Sequence, residues 1–279
     1  LLKLGLIAGG GDLPVALAAH CQAVGRPFYV IRLAGLAAPT LSGFDGVDAG
    51  IAELGKGIRA LRNAGCEAVC FAGKVDRPDL RALKPDLRGL KALPGAIAAA
   101  RRGDDGLLSF MIREFETEGF LIQGAHEVMA SLTICEGSLG HHAPGNEHRT
   151  DIENARRAAL AIGQLDAGQA AVSCDGLILA LEAQEGTDAL LERVARLPQA
   201  LRGSPNDRRG VLAKICKPGQ ELRVDLPTIG PRTVHLAAAA GLVGIVGEAG
   251  RLLVLERAET VRLADELKLF LFGAPPQIS

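Results

Sequence analysis

The chain has no tryptophan and a single tyrosine, Tyr29, among 279 residues. Base-stacking platforms need aromatic rings interleaved with cations. No basic stripe accompanies the formal net charge of −1, so nucleic acid is not expected as a partner. Six cysteines stand at 21, 66, 70, 135, 174 and 216 with no CxxC pair and no framework spacing, the pattern of reduced thiols in a cytosolic protein. Cys66 and Cys70 read as small buried residues. No run of eighteen apolar residues occurs, so no segment is expected to span a bilayer. The opening LLKLGLIAGGG is too short and too soon interrupted for a signal peptide and reads as a first strand. The expected location is the cytoplasm, with contact at a membrane surface left open.

What is present is ample for a large core: 48% hydrophobic and 23% charged residues in a length that suits two domains. Strands are expected at Leu4–Ala8, Phe28–Ile31, Ala68–Ala72 and Phe120–Ile122. Helices are expected at Leu13–Val24, with Pro14 in its first turn, at Gly55–Ala64, and after Asp104 or Asp105, through Leu107, Leu108, Met111, Ile112 and Phe115. This alternation implies a Rossmann-like parallel sheet with ligands at the carboxyl ends of its strands. Gly9–Asp12, Gly73-Lys74 and Gln123-Gly124 would then converge on one edge. Between them, 76–94 repeats Pro-Asp-Leu-Arg at a seven-residue interval and reads as a basic, irregular excursion in which each Pro-Asp-Leu starts a short helical turn. The domain expected over 1–133 is followed by a Gly- and His-rich stretch, 134–150, that reads as a linker. His141, His142 and His148 lack the spacing of metal ligands. A second α/β domain, 151–279, should run helix Asp151–Leu165, strands Gln169–Ser173 and Leu177–Leu181, and helix Ala189–Leu197. A helix from Val234, strands Leu242–Val246 and Leu252–Leu255, helix Ala258–Leu267 and an apolar segment Leu269–Phe272 complete it.

Two nucleotide motifs fail on inspection. Gly9-x-Gly11-x-x-Pro14 has proline where the dinucleotide fingerprint needs its third glycine, and no acid follows the second strand at Arg32 to take a ribose hydroxyl. NAD is therefore not expected, although an anion at the helix amino terminus over Gly10–Asp12 is. Gly50–Gly57 nearly spells a P-loop, but Gly57 stands where a hydroxyl must bind magnesium, and FDGVDA before it is no buried strand.

The stretch Lys214–Gly230, KICKPGQELRVDLPTIG, carries the strongest chemical signal. Glu221 and Asp225, with Asp207 upstream, stand among Lys214, Lys217 and Arg223 in a frame of turn-forming Pro and Gly. Carboxylates take a hard cation and Lys or Arg takes an oxyanion, so this mixture suits a metal-bound phosphate. A second signal is Glu185-Gly186-Thr187-Asp188, where a strand ends in acids and a helix begins: Thr187 caps, or it presents a hydroxyl to a ligand.

Five segments, IAGGGDLP (Ile7–Pro14), GKVDRP (Gly73–Pro78), GDDGLL (Gly103–Leu108), EGTDALLER (Glu185–Arg193) and KPGQELRVDLPTIG (Lys217–Gly230), together resemble the LpxI-type UDP-2,3-diacylglucosamine pyrophosphatases. The resemblance runs over essentially the whole chain. It implies Mg²⁺-dependent hydrolysis of UDP-2,3-diacylglucosamine to UMP and lipid X in lipid A assembly, with water attacking the sugar-proximal phosphorus. It also implies two domains with the substrate between them, and transient work at the cytosolic face of the inner membrane. Glu221 departs from the pattern, which has aspartate there.

On this reading Asp225 is the central metal ligand or water-orienting base, and Asp188 is the next metal ligand. Lys214 and Arg223 stabilise charge on the phosphoryl oxygens. Gly10, Gly11, Asp12, Gly73, Lys74, Gln123 and Gly124 cradle the nucleotide or its phosphates, and Thr187, Asp188 and Lys214 bind substrate from the second domain. The competing readings are a nucleotide-sugar oxidoreductase or epimerase on the same sheet, and a non-catalytic lipid or nucleotide carrier. A homodimer stays open as the assembly state.

Overall fold

The computed structural model describes residues 1–75, 84–101 and 104–276. The chain divides into two compact units, Leu1–Ala130 and Ser131–Ser279. Both are α/β.

In the first unit, five strands among the described residues form a parallel sheet in the order β3-β2-β1-β4-β5. They are β1 (Leu4–Ala8), β2 (Phe28–Leu33), β3 (Gly46–Ala49), β4 (Ala68–Ala72) and β5 (Leu121–Ile122). The central strand β1 is buried along its whole length, as a parallel strand flanked and covered on all sides must be. Within FDGVDA, Gly46–Ala49 forms β3, which is not a buried strand. It takes the edge, where Asp48 stays exposed and pairs with Arg32 of β2 at 2.6 Å. Helices α1 (Leu13–Ala23) and α2 (Leu54–Asn63) lie close to their expected bounds.

Of the expected excursion, 76–83 lie outside the described residues, and the rest is largely helix. Leu87–Ala100 forms α3 and Asp104–Thr117 forms α4, and the two pack together; a four-residue helix α5 (Ala125–Val128) follows β5. Pro94 and two glycines hide α3 from propensity arguments. Gly89 is a packing requirement, since a Cβ there would stand 2.0 Å from Ala52 O. Asp86 starts the helix: one oxygen accepts from Gly89 N at 2.8 Å and from Gly55 N at 3.2 Å, the other from Lys56 N at 2.8 Å. One carboxylate thus caps α3 and closes the first turn of α2. The first Pro-Asp-Leu of the echo, at 78–80, lies outside the described residues.

The second unit carries a mixed sheet in the order β6-β13-β11-β9-β7-β8. Its strands are β6 (Gly137–Leu139), β7 (Ala170–Cys174), β8 (Leu177–Leu181), β9 (Val211–Lys214), β11 (Gly244–Glu248) and β13 (Phe270–Ala274). A two-stranded pair, β10 (Thr228–Ile229) and β12 (Leu253–Val254), stands beside it. Val172, Leu212, Ile245 and Leu271 give one face to the core beneath α7 (Gly186–Ala195), α8 (Pro231–Ala239) and α9 (Arg257–Glu266). On the opposite face Ala155 and Ala159 of α6 (Arg149–Gln164) meet Ala171, Ala213 and Ile215. The β7–β8 hairpin turns on Asp175 and Gly176, both at positive φ. Asp151 of α6 fastens it by accepting from Ser173 Oγ, Asp175 N and Gly176 N at 2.7–3.0 Å.

The Gly- and His-rich stretch 134–150 lies within this unit. Its β6 pairs antiparallel with β13, and Asn146–His148 leads into α6. The histidines there serve local contacts: His148 Nδ1 accepts from Gly145 N at 2.9 Å, and His141 Nδ1 lies 2.7 Å from Asp265.

Burial works against ionising Asp86, yet the three backbone N–H donors from Gly89, Gly55 and Lys56 outweigh it and hold its pKa below the usual carboxylate range. A depressed folded pKa stabilises above the unfolded value, and that stability is lost as pH falls through the folded one. Asp86→Ala should cost about 1–2 kcal/mol at pH 7 and flatten the acid limb of the stability curve, both read by urea unfolding between pH 7 and 3.

Candidate active site

The register of the second sheet sets the site. Ala170 pairs with Lys214, Lys214 pairs with Gly247, and Glu182 N donates to Ala170 O at 2.9 Å. Glu182, Ala170, Lys214 and Gly247 therefore form one row across β8, β7, β9 and β11. Residues two apart on a strand share a face, so this row lies on the face of Val172 and Leu212, which α7 and α8 cover. Ala170 is small, and Gly247 is required by packing, since a Cβ there would lie 2.3 Å from Leu252 Cδ2.

Lys214 ends β9 and its Nζ donates to Thr228 O at 2.9 Å. It makes no second hydrogen bond among the described residues. Burial lowers the ammonium's pKa, and the carboxylates of Glu182, Asp188 and Asp225 push it back up. Three negative charges from three elements thus converge on one largely buried cation. Two of its three N–H donors remain for an oxyanion.

Asp188 stands in the first turn of α7, where a carboxylate suits the helix dipole. Arg232, in the first turn of α8, donates Nε to Asp188 Oδ2 at 2.6 Å. Asp225 follows the turn at 222–224, and its Oδ2 accepts from Gln220 Nε2. Gln220 is itself buried, and its Oε1 accepts from Lys217 N at 2.9 Å. Oδ1 of Asp188 and Oδ1 of Asp225 have no hydrogen-bond partner among the described residues. Such oxygens are the ligands a hard divalent cation takes, and Mg²⁺ needs only one or two of them. No group of three or more His, Cys, Asp or Glu arranged for a metal occurs among the described residues.

The remaining residues of the loop are tied to one another. Arg223 grips Glu221 with Nε to Oε1 at 2.9 Å and Nη2 to Oε2 at 2.8 Å, and these bonds hold the Glu221 carboxyl below its usual range. Glu221 therefore orients Arg223. Asp207 belongs elsewhere: it precedes β9, at the far end of the strand from Lys214, and lies 3.5 Å from Arg209. Thr187 is buried and donates its hydroxyl to Glu182 Oε1 at 2.6 Å.

In the first unit, the ends of β1 and β4 do meet. Gly10 N donates to Lys74 O and Lys74 N to Gly10 O, both at 2.8 Å. Gly73 sits at φ +89°, and a Cβ on it would lie 2.5 Å from Gly10 O and 2.8 Å from Pro14 Cγ. Pro14 thus packs where the two turns cross. Gly11 and Asp12 are exposed at the start of α1, and the Asp12 side chain makes no capping bond. Gln123 and Gly124 do not join this edge. Strand β5 is short, so Gln123 N reaches only Val69 O, and the Gln123 side-chain oxygen accepts from buried Arg26 at 2.6 Å. Arg26 also donates to Leu2 O, before β1 begins. Gly124 N is taken by Glu127 Oε2.

Burial pushes the thiols of Cys70 and Cys216 up to about 12, which removes both as nucleophiles near neutrality. Three site residues escape a reading of the sequence alone. Glu182 looks like one of several acids after a strand, Gln220 like a turn residue, and Arg232 like a misplaced cation in a helix's first turn. The five-residue interval from Glu182 to Thr187 is the signal that was available.

Fold and site define a two-unit α/β protein whose second unit gathers carboxylates around a lysine at the carboxyl end of a strand. Residues 3–132 match the LpxI N-terminal domain and residues 135–272 the LpxI C-terminal domain. The chain belongs to the LpxI family. The UDP-2,3-diacylglucosamine pyrophosphatase LpxI of Caulobacter vibrioides is 60% identical over 275 residues, covering 99% of this chain and 98% of that protein. Among solved structures, N5-carboxyaminoimidazole synthase from Aspergillus clavatus, with ADP and 5-aminoimidazole ribonucleotide, is matched at 14% identity over 71% of this chain and 45% of that one. Its TM-score of 0.26 is too low to bear on fold or function.

Gln220→Ala would leave Lys217 N and Asp225 Oδ2 without their partner. Unfolding free energy should fall by about 1–2 kcal/mol, and tryptic cleavage after Arg223 should accelerate. Unchanged cleavage would remove Gln220 as the clamp of this loop.

Proposed function

We propose that the chain hydrolyses the pyrophosphate bond of UDP-2,3-diacylglucosamine, the substrate in the name of its Caulobacter relative, to UMP and 2,3-diacylglucosamine 1-phosphate (lipid X). The observation that carries this reading is Lys214, a largely buried ammonium ringed by Glu182, Asp188 and Asp225 with one N–H committed to Thr228 O. A pyrophosphate diester carries two negative charges that repel an incoming oxygen nucleophile, and a positioned ammonium answers that charge.

Mg²⁺ is the proposed cofactor, and Asp225 and Asp188 are the residues that would hold it through their Oδ1 atoms. When bound it supplies Lewis-acid neutralisation of the diphosphate. The chain's own groups do the rest. Lys214 donates to a phosphoryl oxygen. Arg223, held flat against Glu221, meets charge on the same group. Asp225 orients the attacking water at the sugar-proximal phosphorus, and Gln220 fixes which of its oxygens faces that water. Backbone N–H groups of Gly11 and Asp12, at the start of α1, suit the nucleotide's phosphate. Lys74 stands one turn away across the Gly10–Lys74 bridge.

No helix among the described residues is long and apolar enough to cross a membrane. The lipid substrate is then met at the cytosolic surface of the inner membrane, with transient contact.

Asp225→Ala should lose at least about 10³-fold in kcat, the scale for a key electrostatic group, with the circular dichroism spectrum unchanged. Turnover in ¹⁸O water should place the label in lipid X and leave UMP unlabelled. Label in UMP would move the attack to the other phosphorus. A wild-type chain without turnover in the presence of Mg²⁺ would leave a binding protein.

A further inference from the structure

Glu182 has no place in the chemistry above, yet it is among the most deeply buried charged residues of the described chain, at 6% exposure. Both its oxygens are committed. Oε1 accepts from Thr187 Oγ1 at 2.6 Å and Oε2 from Gln169 N at 2.8 Å. Those two partners come from different places: Gln169 leads into β7, and Thr187 lies in the first turn of α7. One carboxylate therefore ties the sheet edge to the helix that carries Asp188.

Thr187 Oγ has a single proton, and Glu182 receives it. A phosphate oxygen is an acceptor, so Thr187 has no proton left for substrate while this bond stands. The hydroxyl instead fixes the α7 first turn from below. Asp188 is the next residue, and its Oδ2 is fixed from the other side by Arg232 of α8. The same Glu182 carboxylate shares a row with Lys214 and is first among the charges that offset the lysine's burial. Glu248, one residue past this row on β11, belongs to the opposite face, where it acts on Arg156 and Cys216.

We propose that Glu182 and Thr187 form a positioning pair, which sets Asp188 against Lys214 and touches neither substrate nor cofactor. The inference rests on the reading of Asp188 and Lys214 as site residues. It predicts that the two side chains are coupled, so that the loss in the double variant falls short of the two single losses combined.

The test is a double-mutant cycle with a second, non-kinetic readout. Glu182→Gln and the isosteric Thr187→Val should each lower kcat for UDP-2,3-diacylglucosamine by about 10- to 100-fold with KM changed less than about threefold. The double variant should be no worse than Glu182→Gln alone. Thr187→Ser, which restores the hydroxyl, should recover at least about tenfold of the loss in Thr187→Val. Mn²⁺ binding, followed by electron paramagnetic resonance without substrate, should weaken in Glu182→Gln and Thr187→Val and recover in Thr187→Ser. Losses that simply add in the double variant, or Thr187→Val at wild-type kcat and Mn²⁺ affinity, would overturn the pair. Should the wild-type chain fail to turn over the substrate, the proposed function falls, and Mn²⁺ binding alone decides between a positioning pair and an ordinary structural hydrogen bond.

Discussion

An ammonium withdrawn from water must be paired, or it gives up its proton. Burial lowers the pKa of Lys214, and carboxylates on the end of β8, on α7 and on the loop after β9 all work against that fall. Each is brought there by a different part of the fold, so the site depends on the whole arrangement of the second unit. The converse holds too. Without the lysine, three acids would share one end of a sheet with much of their balancing charge gone, Arg232 still pairing with Asp188, a costly arrangement.

The devices around that balance are modest and local. Gly247, beside Lys214 in the row, lets Leu252 pack against the strand. Gln220 turns Asp225 while holding the loop at Lys217 N. Arg232 occupies a helix first turn where a cation is electrostatically misplaced, and its bond to Asp188 at 2.6 Å accounts for it. In the first unit the crossing of Gly10 with Lys74 does a comparable job, bringing two strand ends into register with the start of α1. A proline in place of the fingerprint's third glycine is what fills the space beside Gly73.

The alternation of strands and helices was legible because apolar runs such as Leu4–Ala8 and Leu177–Leu181 are bounded by Gly and Asp turns. Helix α3 was not, because Pro94 and Gly89 lower its local propensity, while its stability comes from packing on α4 and the Asp86 cap. Strand β3 was missed because an edge strand tolerates charge. At the site, Lys214, Asp188 and Asp225 stood out as charged residues in Gly- and Pro-framed turns. Glu182 did not, since its significance lies in a cross-strand register through Ala170 that no linear spacing encodes. Gln123 was over-read: β5 ends level with the middle of β4, so the strand-end argument does not reach it.

In the proposed reaction the Lys214 charge answers a diphosphate. Steady-state kinetics of Lys214→Met and Lys214→Arg with UDP-2,3-diacylglucosamine and Mg²⁺ tests it most directly. The methionine variant should fold and lose at least about 10³-fold in kcat/KM, with the arginine variant recovering part of that loss. A methionine variant within about tenfold of the wild type would contradict it, because a buried cation central to phosphoryl transfer cannot be dispensed with so cheaply.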